Sequence, residues 1–175
     1  GKIYTPGDDA DVLVAMNPAA LKVNAKGVKK GGVLIFDEDS FRKSDMEKAG
    51  FKTENPFEEL QLSETIQLIP APLSSLTQSS LEGFEMDAKS ILRSKNMFAL
   101  GLICWLFNRP VDQAVHFLEN KFSKKKSILE ANIKVLTDGY NYGGNLHLSV
   151  NTYKIEKSHD VPKGKYTSIN GNKAT

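Results

Sequence analysis

One uncharged stretch constrains the fold of this chain more than any other feature. The eleven residues from Met97 to Phe107 carry no charge, whereas a bilayer crossing needs about 20 apolar residues. The stretch therefore predicts a helix buried on all sides in the core of a soluble domain, with no membrane partner. We expect Cys104 and Trp105 to pack in that core. Pro110, just beyond, suits the first turn of a following helix.

Composition narrows the class of protein further. The 175 residues are 40% apolar, which fits a globular domain with a core. A net charge of +2 is too balanced to favour nucleic acid as a partner. Cys104 is the only cysteine, whereas an iron–sulfur cluster needs about four thiolates, so this chain holds no cluster by itself. The N-terminal residues contain no signal-peptide apolar segment, which predicts a cytoplasmic location.

The first half of the chain has the pattern of a βαβ unit. Residues 12–16 and 33–36 are continuous apolar runs, typical of parallel strands covered on both faces. Asn17 and Pro18 suit the cap and the first position of a crossover helix between them. The glycines and lysines of residues 29–32 are expected to end that helical stretch and turn the chain back. The two strands should therefore be parallel.

A third strand and a helical second half complete the predicted fold. Residues 65–69 alternate in polarity, which predicts a half-exposed strand ended by Pro70 and Pro72. Helices are expected after Asp87, after Pro110 and from a capping box at Ser127 and Glu130, the last helix ending at Gly139. The fold class is three-layer α/β, with a mostly parallel sheet, flanking helices and a helical C-terminal half.

The carboxyl ends of the strands are where ligands dock in open α/β sheets. The positions there are Asn17, Asp37 and the Pro70–Pro72 segment. Asn17 has a second role as helix cap and Asp37 as a turn residue, so a structural reading stays open for both.

Other motifs give weaker signals. The glycines of residues 27–32 match neither the dinucleotide fingerprint nor the P-loop, and are interpreted as a turn. Three lysines at 124–126 are interpreted as a solvated loop, with a phosphate-binding patch as the alternative. His116 lies on a polar helix face far in sequence from the other histidines, so no metal site is predicted.

Two groups of residues resemble a known enzyme family. Residues 11–21, followed by 29–32, resemble the gamma region of the 2-oxoacid:ferredoxin oxidoreductases. A second group resembles the same region fused ahead of the alpha subunit, the 2-oxoglutarate type being nearest. This second group comprises Lys95, Asn96, Leu100, Gly101, Asn108, Arg109, Pro110, Lys121, Phe122, Asn132, Gly139 and Tyr140. The resemblance covers about residues 4–143.

The resemblance implies a part in the oxidative decarboxylation of a 2-oxoacid, with 2-oxoglutarate expected, to an acyl-CoA. The whole complex would use thiamine diphosphate, an iron–sulfur cluster and coenzyme A, with a beta subunit and ferredoxin as partners. None of these cofactors is expected to be bound by this segment itself, and no catalytic residue is expected in it. Its role would be structural or CoA-proximal, through Asn17, Asp37 and Pro70.

The resemblance also implies a domain organisation. Residues 1–143 would form the gamma-type domain, 144–167 a linker, and 168–175 the start of the alpha, pyrimidine-binding domain. The family's glycine-rich opening strand, turn and helix are not recognisable, so we expect an N-terminally incomplete domain that self-associates through an unpaired sheet edge. The alternatives are a non-catalytic interaction module and an unrelated nucleotide-binding domain.

Overall fold

The computed structural model of the protein describes residues 9–62, 64–146, 152–155, 162 and 164. The elements, in chain order, are β1 Ala10–Ala15, α1 Pro18–Asn24, β2 Val28–Asp37, α2 Lys43–Lys48, α3 Pro56–Glu59, β3 Gln67–Ala71, α4 Leu73–Ser80, α5 Ala88–Leu106, α6 Asp112–Phe122 and α7 Lys126–Asn145.

The three strands of the described residues form one parallel sheet in the order β1, β2, β3. All three predicted strands are present, and the predicted parallel pairing of the first two is confirmed. The predicted bounds were too short for β2 and lay two residues early for β3.

Helices cover both faces of the sheet because successive residues of a strand point to opposite faces. Val33 and Ile35 of β2 belong to one core, built with α4, α5 and α7. Leu34 and Phe36 belong to a second core, which includes residues of α1 and α2. The predicted three-layer α/β fold is therefore confirmed.

One predicted turn and one predicted strand end instead lie inside strands. The glycines at 31 and 32 lie inside β2, where Gly31 has a φ of +76° and donates a 2.7 Å hydrogen bond to the carbonyl of Thr65. A register irregularity in the β1–β2 pairing accommodates this segment. Pro70 lies within β3, one of the two outer strands of the described sheet, where a missing N–H is tolerated.

Helix caps were predicted with mixed success. The side chains of Asn17 and Asp87 each accept a hydrogen bond from a backbone N–H three residues on, as predicted. Gly50 follows α2 with a φ of +76°, a left-handed conformation that suits glycine beyond a helix end. The predicted capping box at Ser127 is wrong, because α7 already begins at Lys126 and the residue before it makes no side-chain cap.

The central helix α5 is apolar throughout its second half, but it is not buried on all sides. Phe98, Leu102 and Leu106 are buried, and half-buried Trp105 packs against them as predicted. Cys104 is only half-buried and lines an apolar groove of about 470 Å³ beside α6. Burial raises the pKa of the Cys104 thiol. No helix of the described residues combines the length and hydropathy needed to span a membrane.

Glycines allow α5 and α7 to approach closely. A Cβ on Gly101 would lie 2.7 Å from the backbone nitrogen of Tyr140, and one on Gly139 would lie 2.8 Å from the carbonyl carbon of Phe98. The predicted helix stop at Gly139 is therefore wrong, since α7 continues to Asn145 and this glycine serves helix packing. The predicted domain boundary at residue 143 stays a prediction. Most of the predicted linker at 144–167 lies outside the described residues.

We predict that Gly139→Ala lowers the free energy of unfolding by about 1–3 kcal/mol, because the added methyl group meets the α5 backbone. Gly144→Ala is the matched control. It lies on the same helix with its nearest neighbour at 3.9 Å, so alanine should be neutral or stabilise by up to about 1 kcal/mol. Urea unfolding measures both. Equal effects of the two substitutions would contradict the packing role of Gly139.

Candidate functional site

A polar cleft of about 450 Å³ lies at the carboxyl ends of β1 and β2. Asn17 contributes from the end of β1, Ser40 from the turn after β2, and Arg42 and Lys48 from the start and end of α2. The cleft is open to solvent and lies at the edge of the sheet where the sequence predicts a ligand.

Asn17 caps α1 and also lines the cleft. Its Oδ1 accepts a 2.8 Å hydrogen bond from the backbone N–H of Ala20, which caps α1. The side chain is exposed and lines the cleft. Because the cap uses only the oxygen, the amide N–H groups point to no partner in the described chain and can donate to a ligand.

Asp37 is instead sealed beneath the cleft. Its carboxylate is 0% exposed and forms a 2.8 Å ion pair with Lys95 of α5. Ser40 donates to it at 2.6 Å, and Ser74 of α4 donates through both its hydroxyl and its backbone N–H. These four hydrogen bonds saturate the carboxylate, so Asp37 reaches the cleft only through the Ser40 side chain.

The protonation state of Asp37 follows from these contacts. Burial alone would raise the pKa of the carboxyl group, but the hydrogen bonds from Lys95, Ser40 and Ser74, together with the positive charge of Lys95, lower it below its ordinary value. Asp37 is therefore ionised at neutral pH, and its charge is balanced inside the protein.

The turn after β2 also caps α4, which follows the third strand of the sheet in chain order. Asp37 accepts from the backbone N–H of Ser74, and Asp39 accepts from the backbone N–H of Ser75 at 2.7 Å and from its hydroxyl at 2.9 Å. Two carboxylates thus face the positive end of the α4 dipole. The turn that forms one side of the cleft is fixed to the opposite helical layer.

The cleft has mixed charge. The Arg42 guanidinium donates to the Asp39 backbone carbonyl at 3.1 Å, and the Lys48 ammonium lies 3.3 Å from Asp45. Both cations are on exposed residues and can exchange these partners for a ligand. The arrangement suits a ligand with anionic and amide groups.

Pro70 lies outside this cleft. It is exposed on β3 and pairs in register with Phe36 of β2. It therefore lies near the carboxyl ends of the strands, beside the cleft and not in it. Of the three predicted site residues, only Asn17 lines the cleft.

Lys95 was not predicted as a partner of Asp37. The signal was present, because Lys95 lies three residues before Phe98 and seven before Leu102, on the helix face that both use to enter the core. A lysine on a core-facing stripe predicts a buried acidic partner. Its identity could not be read from the sequence, since Asp37 lies 58 positions away.

The described residues contain no group of three or more metal-ligating side chains. His116 is exposed, and its ring nitrogen Nδ1 lies 3.0 Å from the Glu119 carboxylate. Its backbone carbonyl accepts a hydrogen bond from the side-chain amide of Asn120 at 2.9 Å. An iron–sulfur cluster needs about four thiolate ligands. The chain has one cysteine, so its residues do not fit such a cluster.

Comparison with known proteins gives the family. The family described as pyruvate ferredoxin/flavodoxin oxidoreductase matches residues 1–142, well over half of the 175 residues. The chain belongs to this family. The resemblance seen in the sequence is thereby confirmed.

Two members of the family show how this chain relates to larger proteins. It is 41% identical over 172 residues, 98% of its length, to the 2-oxoglutarate oxidoreductase subunit KorA of Mycobacterium tuberculosis. It is also similar, with a TM-score of 0.63 and 25% identity over 91% of the chain, to a solved 2-oxoglutarate:ferredoxin oxidoreductase from Magnetococcus marinus with 2-oxoglutarate, coenzyme A and succinyl-CoA bound. The chain spans 26% of the former and 24% of the latter.

We predict that Lys95→Met lowers the free energy of unfolding by about 3–5 kcal/mol, because it leaves the buried Asp37 carboxylate without its counter-ion. Lys89→Met, at an exposed position of the same helix, is the control and should change it by less than about 0.5 kcal/mol. Urea unfolding at neutral pH measures both. A small loss for Lys95→Met would show that the ion pair is dispensable.

The pH dependence of the free energy of unfolding should reflect the ionisation of Asp37. A carboxyl group whose pKa is lowered by folding stabilises the folded state above its unfolded pKa of about 3.9, and this contribution is lost as pH falls through the folded pKa. We expect the wild type to lose more stability than Asp37→Asn between about pH 5 and pH 2. Parallel curves for the two proteins would contradict an ionised Asp37.

Proposed function

We propose that this chain is part of a 2-oxoacid:ferredoxin oxidoreductase that converts 2-oxoglutarate and coenzyme A to succinyl-CoA. The observation that carries the proposal is the 41% identity to the M. tuberculosis KorA subunit across 98% of this chain. The likeness to the M. marinus enzyme supports the same substrate.

The chain contributes no redox centre of its own to this reaction. Its single cysteine cannot hold an iron–sulfur cluster, and the described residues include no cluster of three or more metal-ligating side chains. Thiamine diphosphate and the cluster are therefore assigned to the rest of the complex, together with the beta subunit and the contact with ferredoxin.

The part proposed for this chain is to shape the coenzyme A side of the active site. Coenzyme A supplies the thiol that accepts the acyl group, and it carries phosphates and amides along its length. The residues of the polar cleft at the ends of β1 and β2, called the strand-end cleft below, fit such a molecule. Arg42 and Lys48 offer positive charge, and Asn17 offers an amide donor. Asp37 and the neighbouring Pro70 act indirectly, by holding the shape of this sheet edge.

An unpaired sheet edge accompanies this proposal. Among the described strands, β1 has a partner on one side only, and an exposed strand edge favours association. We therefore propose that the chain self-associates when it is separated from the rest of the complex.

The test of the reaction uses the intact enzyme that contains this chain. We predict CoA-dependent reduction of ferredoxin or of an electron-accepting dye with 2-oxoglutarate, and much slower reduction with pyruvate. This chain alone, supplied with thiamine diphosphate and both substrates, should show no turnover. A preference for pyruvate would refute the substrate, and turnover by the chain alone would refute the division of labour.

The test of the cleft uses Asn17→Asp. This change keeps the oxygen that caps α1 but replaces the amide donor with a negative charge. In the intact enzyme we predict that the KM for coenzyme A rises about tenfold, with the KM for 2-oxoglutarate unchanged.

The matched control for that test is Asn55→Asp. Asn55 caps α3 with its own side-chain oxygen and does not line the cleft, so its substitution should leave both KM values unchanged. Equal effects of the two substitutions would refute a role of the cleft in coenzyme A binding.

A further inference from the structure

Another cavity, distinct from the polar cleft and from the apolar groove beside Cys104, lies between α5, α6 and α7. It has a volume of about 410 Å³, and three cations surround it, namely Arg93, Lys121 and Lys125. No aspartate or glutamate of the described chain lines it. The lysine-rich loop at residues 124–126, interpreted from sequence as solvated with phosphate binding as the alternative, thus forms part of a larger basic cluster.

The three cations are not neutralised within the described part of the chain. None of them forms an ion pair there, although Lys29, Lys43, Lys48 and Lys134 each have a carboxylate partner. The Lys121 ammonium lies over two rings instead, 5.4 Å from the centroid of Phe117 and 5.5 Å from that of Phe122. Like charges around one cavity repel each other, so an anion bound among them is favoured.

Two polar side chains with little exposed surface, Ser94 and Asn132, lie in the cavity wall. Asn132 is 9% exposed, and its amide nitrogen donates one hydrogen bond, to the carbonyl of Ile128 at 2.7 Å. The structure gives that side chain no other hydrogen bond, which leaves its second N–H and its oxygen without a partner. Ser94, 3% exposed, also lines the cavity. No fully buried side-chain nitrogen or oxygen of the described residues lacks a hydrogen-bond partner, so the unused oxygen of Asn132 is accessible and can bond to a ligand in the cavity.

The rest of the lining is apolar and aromatic. Met97 and Phe122 contribute to the wall, and the Phe117 ring, 60% exposed, stands at its border. An exposed ring beside a basic cluster offers a surface on which a flat or apolar group can pack. The chain therefore combines charge, polar donors and apolar surface in one cavity.

We propose that this cavity binds an organic phosphate monoester. The phosphate would lie among Arg93, Lys121 and Lys125, and the apolar body of the ligand would lie against Phe117. Phosphate is favoured over carboxylate because a dianion matches three separated cations better than a single charge does. The site is separate from the strand-end cleft and does not depend on the reaction proposed above.

The test is a binding titration of the intact protein with 1-naphthyl phosphate, followed by the fluorescence of the probe. We expect saturable binding that weakens with added salt. 1-Naphthol, which has the same ring without the charge, should bind at least about tenfold more weakly. Inorganic phosphate should compete, with lower affinity because it lacks the ring. Equal affinities for the naphthol and its phosphate, or no saturation, would overturn the proposal.

Substitutions locate the binding. Arg93→Ala and Lys121→Ala should each weaken 1-naphthyl phosphate binding about tenfold, while Phe117→Ala should weaken the naphthyl ligand but not inorganic phosphate. All three residues are exposed, so the fold should survive, as circular dichroism would verify. Lys26→Ala, an exposed lysine that does not line the cavity, is the matched control. Binding that all four variants retain would place the probe elsewhere and overturn the proposal.

Discussion

A buried ion pair between Asp37 and Lys95 joins the parts of this molecule that are far apart in the sequence. Asp37 ends the central strand, Lys95 belongs to the central helix, and Ser74 of α4 completes the contact. An ionised carboxylate without exposure is tolerated only when its hydrogen bonds and its charge are both satisfied. The position of the strand end, and of the cleft above it, therefore depends on the helical layer behind the sheet.

The same arrangement explains why the predicted site residues differ in their roles. Polar residues at the carboxyl ends of parallel strands either face a ligand or hold the turns that surround it. The Asn17 oxygen caps a helix, and the same residue lines the cleft. Asp37 has every acceptor position filled from within the chain, so it can influence a ligand only through the shape of the turn.

Features set by neighbouring residues could be read from the sequence. The caps at Asn17 and Asp87 and the apolar strand interiors depend on local geometry and periodicity, and the structure has them as expected. Features set by distant partners could not be read in this way. Gly139 has the local signature of a helix end, yet it is the close approach of α5 that requires it. Pro70 is accepted in a strand because β3 is an outer strand of the described sheet. The ion pair of Lys95 belongs to the same class.

The strand order carries a consequence for where a ligand can be enclosed. In doubly wound sheets, a crevice opens at the switch point, where the strand order reverses and neighbouring loops diverge to opposite faces. The described strands follow one another as β1, β2, β3 without reversal. These strands therefore offer one wall of a crevice, and a ligand held against Asn17 and Arg42 would be closed in by a wall from outside this sheet.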